Sequence, residues 1–416
     1  MRVLLAGYGT RGDVQPLVAL GRHLREAGHE VAIGASPVFA TWVAAHGLDF
    51  HAIGGDIQVF LRRHAGLLTR RRPLAMRRLL EEARAEMDLA FEQTGTAAEG
   101  ADLVVSGVHT AAASVAEALG VPHRTLLFCP QLIPSAQHPP MGVPWLTLPR
   151  PCNRALWWAG ERAFGAVLRD ALDRHRRALG LAPIGSIVGH LLTDRPIVAS
   201  DPELGGLPED APPSIRQTGS LALAADGPLE PALERFLAAG EPPVGIGFGS
   251  MPDDDPERTT SMLVQALAAT GRRGVLLSGW AGLGGRALPA SVFATRSAPH
   301  APLFARLALA VHHGGAGTTA AAARAGVPQL VVPHAADQYY WGHQVHRRGL
   351  GSRPIPRPAL TAARLARAIA AVRSSDGVVA NARATADALA RRDGVAALAG
   401  LLEGVVAEPR AARAAA

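Results

Sequence analysis

Lysine is absent from this chain of 416 residues, so all 42 basic side chains are arginine; with 35 carboxylates the formal net charge is +7. A basic surplus invites a nucleic-acid partner, but asparagine has also fallen to Asn153 and Asn381. Loss of residues with A/T-rich codons in favour of Arg and Ala points to drift in a high-GC bacterial genome, not to selection for phosphate-backbone binding, and no nucleic acid is expected. Cysteine is limited to Cys129 and Cys152, which excludes a disulfide framework or a Cys-based metal site and agrees with a reducing compartment. No apolar run approaches the ~20 residues that cross a bilayer. The N-terminus enters a strand at once, Arg2 to Ala6, without a basic n-region or a separate apolar h-region, so no secretory signal is expected. The expected location is the cytoplasm.

What is present is an alternation of short apolar runs and helical segments. The chain is too long for one ordinary core and suits two domains of roughly 200 residues with a cleft between them. Strand-like Val3 to Ala6 and Glu30 to Ala35 alternate with helical Gln15 to Ala27 and Pro37 to His46, the signature of βαβ units. Further strands are expected at Leu103 to Ser106, Arg124 to Phe128 and Pro196 to Ala199, with a helix from Ser114 to Leu119. Gln131 to Leu148, rich in Pro and His, reads as a long irregular loop and Asn153 to Leu179 as a helix. Pro and Gly accumulate from Pro202 to Pro243, interrupted by strand-like Ser214 to Leu223 and helical Leu229 to Ala239. The predicted boundary falls near Ala225, giving domains 1–224 and 225–416. A second series follows: strand Val244 to Phe248, helix Pro256 to Thr270, strands Gly274 to Ser278 and Val292 to Arg296. The chain ends in Ala- and Arg-rich helices.

The richest segment runs from Leu307 to Tyr340. A buried strand, Leu309 to Val311, leads through His312, His313, Gly314, Gly315, Ala316 and Gly317 into a small-residue helix from Thr318 to Ala325. Glycines admit an anion close to the backbone, and a helix start offers free N–H groups and a favourable dipole. A phosphate or pyrophosphate is the expected guest. The next strand, Gln329 to Val332, stops at Pro333 and presents Asp337 and Gln338 at its carboxyl end, where open parallel sheets bind ligands. A diphosphate at the first place and hydroxyl groups at the second describe a nucleotide-sugar.

Four blocks in order carry a family resemblance: GTRGDVQPLVALGRHLREAGHEV near the start, FGSM at Phe248 to Met251, HHGGAGTT and DQYYWG. Together they resemble the inverting, nucleotide-sugar-dependent glycosyltransferases of the GT-B type, in the bacterial natural-product and sterol branches, over nearly the whole chain. The resemblance implies an α/β fold of two Rossmann-like domains facing each other across a cleft, with an acceptor-binding N-terminal domain, a donor-binding C-terminal domain and a last helix that crosses back to the first. It makes Asp13 the general base, which accepts the acceptor hydroxyl's proton during an inverting displacement. It places His312, His313, Gly315, Gly317, Thr318 and Ser250 at the donor diphosphate, with Thr10 and Arg11 reaching across the cleft, and Asp337 and Gln338 on the sugar hydroxyls. Many plant relatives stack a tryptophan on uracil where this chain has Ser297. Trp280, or the backbone about Ala298 with His300 nearby, would have to hold the base, so the donor could be UDP- or dTDP-linked. The nucleotide-sugar is a co-substrate, and no cofactor or metal is implied. The acceptor would be a hydrophobic small molecule, with Phe60, His138, Met141 and Trp145 as pocket residues, each of which could equally be core packing.

Each of these residues also has a plainer role. Asp13 could be a turn or cap carboxylate, Arg11 a helix-start residue, Ser250 a turn serine and Asp337 an Asx-turn residue. Gly7 to Gly12 fits a dinucleotide-binding GxGxxG, but the second strand ends in Ala35 and Ser36, not in the ribose-binding acid that motif requires. Asp253 to Asp255 mimics a metal-binding DxD, yet Asp255 before Pro256 reads better as a helix cap. Adjacent His312 and His313 should face opposite ways, which weakens a zinc site built from them and His334. Arg62, Arg63, Arg70, Arg71, Arg72, Arg77 and Arg78 form a basic cluster that reads as a solvated helix face and loop, or as a contact with an anionic acceptor or membrane surface. Two rival functions share the diphosphate site: a nucleotide-sugar epimerase of similar fold and a non-catalytic nucleotide-sugar-binding partner.

Overall fold

The structure is a computed structural model that describes residues 1–60, 63, 73–223, 227–285 and 287–407. Its first seven strands are short: β1 (Arg2–Ala6), β2 (Glu30–Ala35), β3 (Asp49–Ala52), β4 (Leu103–Ser106), β5 (His123–Leu127), β6 (Ile197–Val198) and β7 (Arg216–Gln217). They form one parallel sheet in the order β3-β2-β1-β4-β5-β6-β7. Parallel strands need crossovers, and helices on both faces bury them. The crossovers are α1 (Arg11–Glu26), α2 (Ala40–Ala45), α3 (Pro73–Ala98), α4 (Ala112–Leu119), α5 (Arg150–Ala178) and α6 (Ile187–Leu192). Because strand side chains alternate, Val3 and Leu5 pack with Leu17 and Leu20 of α1 on one face, while Leu4 and Ala6 meet Met87 and Val115 on the other.

After α7 (Pro231–Ala238), the second series comprises β8 (Val244–Gly247), α8 (Pro256–Ala269), β9 (Gly274–Leu277), β10 (Val292–Thr295), α9 (His300–Phe304), β11 (Leu309–His312), α10 (Ala316–Arg324), β12 (Gln329–Val331) and α11 (Gln338–Arg347). The strands make a second parallel sheet, β10-β9-β8-β11-β12. The helices α12 (Ala362–Arg373), α13 (Asp376–Leu389) and α14 (Gly394–Ala407) close the described chain. The last of these returns to the first sheet: Val395, Leu398 and Leu402 share a core with Leu17 and Val31, and Glu403 pairs with His29 at 3.0 Å.

Three expectations changed. The strand expected over Ser214 to Leu223 shrinks to β7, because Pro212 and Pro213 supply no N–H before it and Gly219, at φ +113°, turns the chain after it. The helix face expected about Arg77 and Arg78 extends to the 26 residues of α3, a length that was not expected. Asp337 and Gln338, read as loop, sit at the start of α11. The expected boundary near Ala225 lies outside the described residues, as do Arg62, Arg70, Arg71 and Arg72 and the side chains of Arg77 and Arg78. Arg63 stands 3.9 Å from Glu82, an exposed pair. No helix among the described residues is long and apolar enough to cross a membrane.

Candidate active site

Both sheets reverse their winding beside a central strand, between β1 and β4 in the first and between β8 and β11 in the second. Ligands of open α/β sheets bind at such switch points, outside the carboxyl ends of the strands. The residues following β1, β8 and β11 are the ones to inspect.

Thr10 caps α1 and Asp13 is its third residue, and the two form a capping box. Asp13 Oδ2 accepts from the Thr10 backbone N–H at 2.7 Å and from its hydroxyl at 3.3 Å, while the Thr10 hydroxyl oxygen accepts from the Gly12 N–H at 3.3 Å. The cap role and a chemical role are therefore compatible: the bonds that cap the helix hold the carboxylate in one rotamer. Loss of solvent raises its pKa to about 6, although the bonds from Thr10 act in the opposite direction. Gly9 makes this approach feasible, since its φ is +145° and a Cβ there would collide with the Asp13 carboxylate. Gly9→Ala is expected to cost at least tenfold in turnover, given that misplacing a catalytic group by ~1 Å can cost ~10²-fold. Steady-state kinetics on the purified variant would check this.

On the second sheet, β11 ends at His312 and the chain runs into α10 with Gly315 as N-cap and no side chain capping the turn. The first N–H groups of that helix are left for an outside acceptor. The two histidines part company here. His312 is buried beneath the turn; its Nε2 meets Gln329 Oε1 at 2.9 Å and its Nδ1 accepts from the Gly314 N–H at 3.1 Å. Both nitrogens are occupied within the protein, and this ring braces the turn from below. His313 faces the other way. Its Nδ1 is buried without a partner, and a Cβ on Gly249 or Gly315 would come within 2.9 Å or 2.5 Å of its ring. Burial, then the neighbouring histidines, depress its pKa to about 3, so the ring is neutral. Among the described residues, the Ser250 and Thr318 hydroxyls have no hydrogen-bond partner. Gly249, at φ +61° and one residue before Ser250, lies against the imidazole.

The third contribution follows β12. Ala336 adopts φ +54°, an uncommon conformation for a residue with a side chain, and delivers Asp337 to the start of α11. Asp337 Oδ2 accepts from Trp341 Nε1 at 3.1 Å. Burial and, after it, the negative charge of Asp13 raise the Asp337 pKa to about 7. That coupling brings carboxylates from the two sheets into one crevice. Gln338 does not join them. Its Oε1 accepts from the His334 and Ala335 N–H groups at 2.7 and 3.1 Å, and its Nε2 points to Met251 Sδ at 3.3 Å. Its amide thus shapes the loop that carries Asp337.

The chain matches two family descriptions: a glycosyltransferase family 28 N-terminal domain over residues 3–135 and an erythromycin biosynthesis protein CIII-like C-terminal domain over residues 277–402. It is 37% identical to glycosyltransferase GtfC of Amycolatopsis orientalis, covering 99% of both chains. It is 38% identical to the vancomycin aglycone glucosyltransferase of the same organism, covering 94% of this chain and 98% of that one. The chain is a glycosyltransferase of this family. Among solved structures, glycosyltransferase VinC in complex with dTDP has the same fold, with a TM-score of 0.70 at 23% identity over 98% of this chain and 99% of that one. The GT-B fold is thus established.

The remaining expected site residues of the glycosyltransferase divide between crevice and scaffold. Thr10 spends its hydroxyl on the cap, and Arg11, first residue of α1, donates from Nε to Gln15 at 3.0 Å and lies 4.8 Å over the Trp42 ring. The charge of Arg11 also reaches the second lobe, where after burial it helps to lower the pKa of His300 to about 4. Trp280 donates its backbone N–H to Gly249 at 3.0 Å and packs its indole against the first lobe's core, so it seals the seam between lobes. Ser297 is exposed, Ala298 packs with the second core and His300 stacks on Phe304 at 4.8 Å. Phe60 lines a small recess with Tyr8, Gly9 and Glu86. His138 is instead buried between Trp157 and Tyr340, whereas Met141 and Trp145 are exposed.

Asp255 caps α8 by accepting from the Arg258 N–H at 3.0 Å, and Asp253 pairs with Arg357 at 2.8 Å. Asp253 and Asp255 are thus engaged within the protein. The sequence did not point to Tyr8 and Glu86, which line the recess beside Gly9. The Tyr8 hydroxyl donates to Glu86 at 3.1 Å and its ring meets His109 edge-on at 5.9 Å. Only the position of Tyr8 between two glycines hinted at this; nothing near Glu86 did.

Proposed function

We propose that the enzyme transfers a hexose, with inversion, from a nucleotide-diphosphate sugar to a hydroxyl of a hydrophobic polycyclic or macrocyclic natural product. One arrangement carries the reading: Asp13 of the first lobe lies near enough to Asp337 of the second for its charge to raise the Asp337 pKa, and the helix start at Gly315 has no side-chain cap and packs against the His313 ring. The diphosphate would lie on the first turn of α10, held by its N–H groups, by the His313 imidazole and by the hydroxyls of Ser250 and Thr318. Asp337, with a pKa near neutrality, would hold the sugar hydroxyls and so aim the anomeric carbon at the first lobe. Asp13 would then take the proton of the attacking acceptor hydroxyl. The helix dipole and the neutral imidazole stabilise the departing diphosphate without a metal. The names of the relatives, one acting on vancomycin aglycone, support an acceptor of this class, and the dTDP complex of VinC supports a dTDP- or UDP-linked donor. Unpaired Cys129 and Cys152 suit the cytoplasm. We place the boundary between acceptor and donor domains near Ala225, in the connection from β7 to β8.

The test incubates the enzyme with UDP- and dTDP-hexoses and a panel of aromatic and macrocyclic alcohols. Acceptor-dependent release of nucleotide diphosphate is expected, with the opposite anomeric configuration in the product and no loss in EDTA. Sugar epimerisation without transfer would favour an epimerase. Nucleotide binding without turnover on any acceptor would favour a binding partner, and loss in EDTA restored by manganese would end the metal-free mechanism.

A further inference from the structure

The two helices that begin at the donor site both end in an arginine that grips the same short piece of the other lobe. Helix α10 starts at the glycine turn and ends at Arg324. Helix α11 starts beside Asp337 and is capped at its other end by Arg348. Arg324 Nη2 donates to Asp201 Oδ1 at 2.9 Å and to Ser220 Oγ at 3.2 Å, and its Nη1 donates to the Leu389 carbonyl at 2.8 Å. Arg348 donates from Nε to the Leu204 carbonyl at 2.8 Å and from Nη2 to that of Pro202 at 3.1 Å. A third arginine, Arg392, holds Glu203 at 2.6 Å.

The gripped segment, residues 201–204, follows β6, and Ser220 follows β7. These are the last two strands of the first sheet, where the chain leaves for the second lobe. Asp201 has 0% of its side chain exposed and is completed by the Ser220 N–H at 3.0 Å and hydroxyl at 2.6 Å. A desolvated carboxylate has few alternatives to the guanidinium it faces. The surroundings leave no slack: a Cβ on Gly394 would press into the Gly219–Ser220 backbone. A helix of nine residues is a rod of about 13 Å, so its position at Arg324 sets the position of the turn at Gly315.

We propose that Arg324 and Arg348 are positioning residues, which latch the donor-binding helices to Asp201–Leu204 and thereby hold the diphosphate cradle and Asp337 at working distance from Asp13. The inference rests on the function proposed above. It predicts an asymmetric defect, because the nucleotide is held by the second lobe alone while transfer needs both lobes in register. In folded Arg324→Met, kcat is expected to fall about tenfold to a hundredfold, as for a small misplacement of reacting groups, with the Kd for dTDP or UDP within about twofold of wild type. Arg324→Lys should be nearly as impaired, since an ammonium cannot reproduce the planar fork. The double variant Arg324→Met/Asp201→Asn should be no slower than the single one, because both changes break one contact.

Kinetics, calorimetry with the nucleotide and thermal melting on each variant read the three quantities. A folded Arg324→Met with unchanged kcat overturns the proposal, and so does a parallel loss of nucleotide affinity, which would assign Arg324 to the donor lobe's own fold. Should Arg324→Met fail to fold, Arg348→Gln, which removes only two bonds to carbonyls, supplies the same readout and unchanged kcat there overturns the latch. If the wild type itself shows no acceptor-dependent nucleotide release, the functional reading fails and not the latch.

Discussion

Asp13→Asn is expected to lower turnover by about a hundredfold to ten-thousandfold, the range a positioned general base contributes, with nucleotide affinity retained. Asparagine keeps an oxygen that can accept from the Thr10 N–H, so the capping box and the entry to α1 survive. Comparing kcat with a calorimetric Kd separates the two outcomes, and full activity would remove Asp13 from the chemistry. The pH dependence adds a second signature. The base must be ionised, so wild-type activity should rise through pH 6, where the raised pKa of Asp13 lies. Stability runs the opposite way. A carboxyl whose ordinary value is 3.8 and whose folded value is about 6 binds its proton more tightly in the native state. Its contribution is fully present below about pH 4 and is lost as pH rises through 6. The enzyme thus gains its base over the interval in which that base costs stability, and Asp13→Asn should flatten both trends. With the like charge of Asp13 gone, the Asp337 pKa should fall from about 7.

The histidine pair offers the second large contrast. His313→Ala should weaken binding of a nucleotide diphosphate about tenfold to a hundredfold, the worth of one hydrogen bond to a charged group. The melting temperature should hardly move, since the lost Nδ1 has no partner in the protein. His312→Ala should do the reverse. It strands the Gln329 side-chain oxygen and the Gly314 N–H, and leaves a cavity beneath the turn. A destabilisation of about 2 to 4 kcal/mol follows from those losses. Calorimetric titration and thermal melts on both variants would check the pair, and the opposite pattern would reverse which ring faces the crevice.

Much of the architecture is local enough to be legible. Strands such as Glu30–Ala35 and Leu103–Ser106 are apolar runs bounded by turn residues, and they form where expected. The cap at Asp255 before Pro256 needed only two adjacent residues. The length of helix α3 escaped because its first turns lie among arginines that invited attention as a charge cluster, although Leu, Met, Arg, Glu and Ala are strong helix formers. The site was legible as composition and less so as orientation. Sequence placed His312, His313, Asp337 and Gln338 at strand ends, but which member of each pair looks outward depends on what lies beneath. Gln329 claims His312, and the backbone of His334 and Ala335 claims Gln338.

By itself the order of residues determined two parallel α/β halves, a glycine-rich turn after β11 and a family with a sugar-transferring chemistry, because periodicity, glycine placement and short motifs are properties of neighbours along the chain. Tertiary structure decided which side chains reach the crevice, that α14 returns to the first sheet, and that Arg324, Arg348 and Arg392 converge on Asp201–Leu204. Those arginines lie more than a hundred residues from the segment they hold, and in a chain whose every basic residue is arginine no local pattern could single them out. Their partners exist only once both sheets have formed and packed.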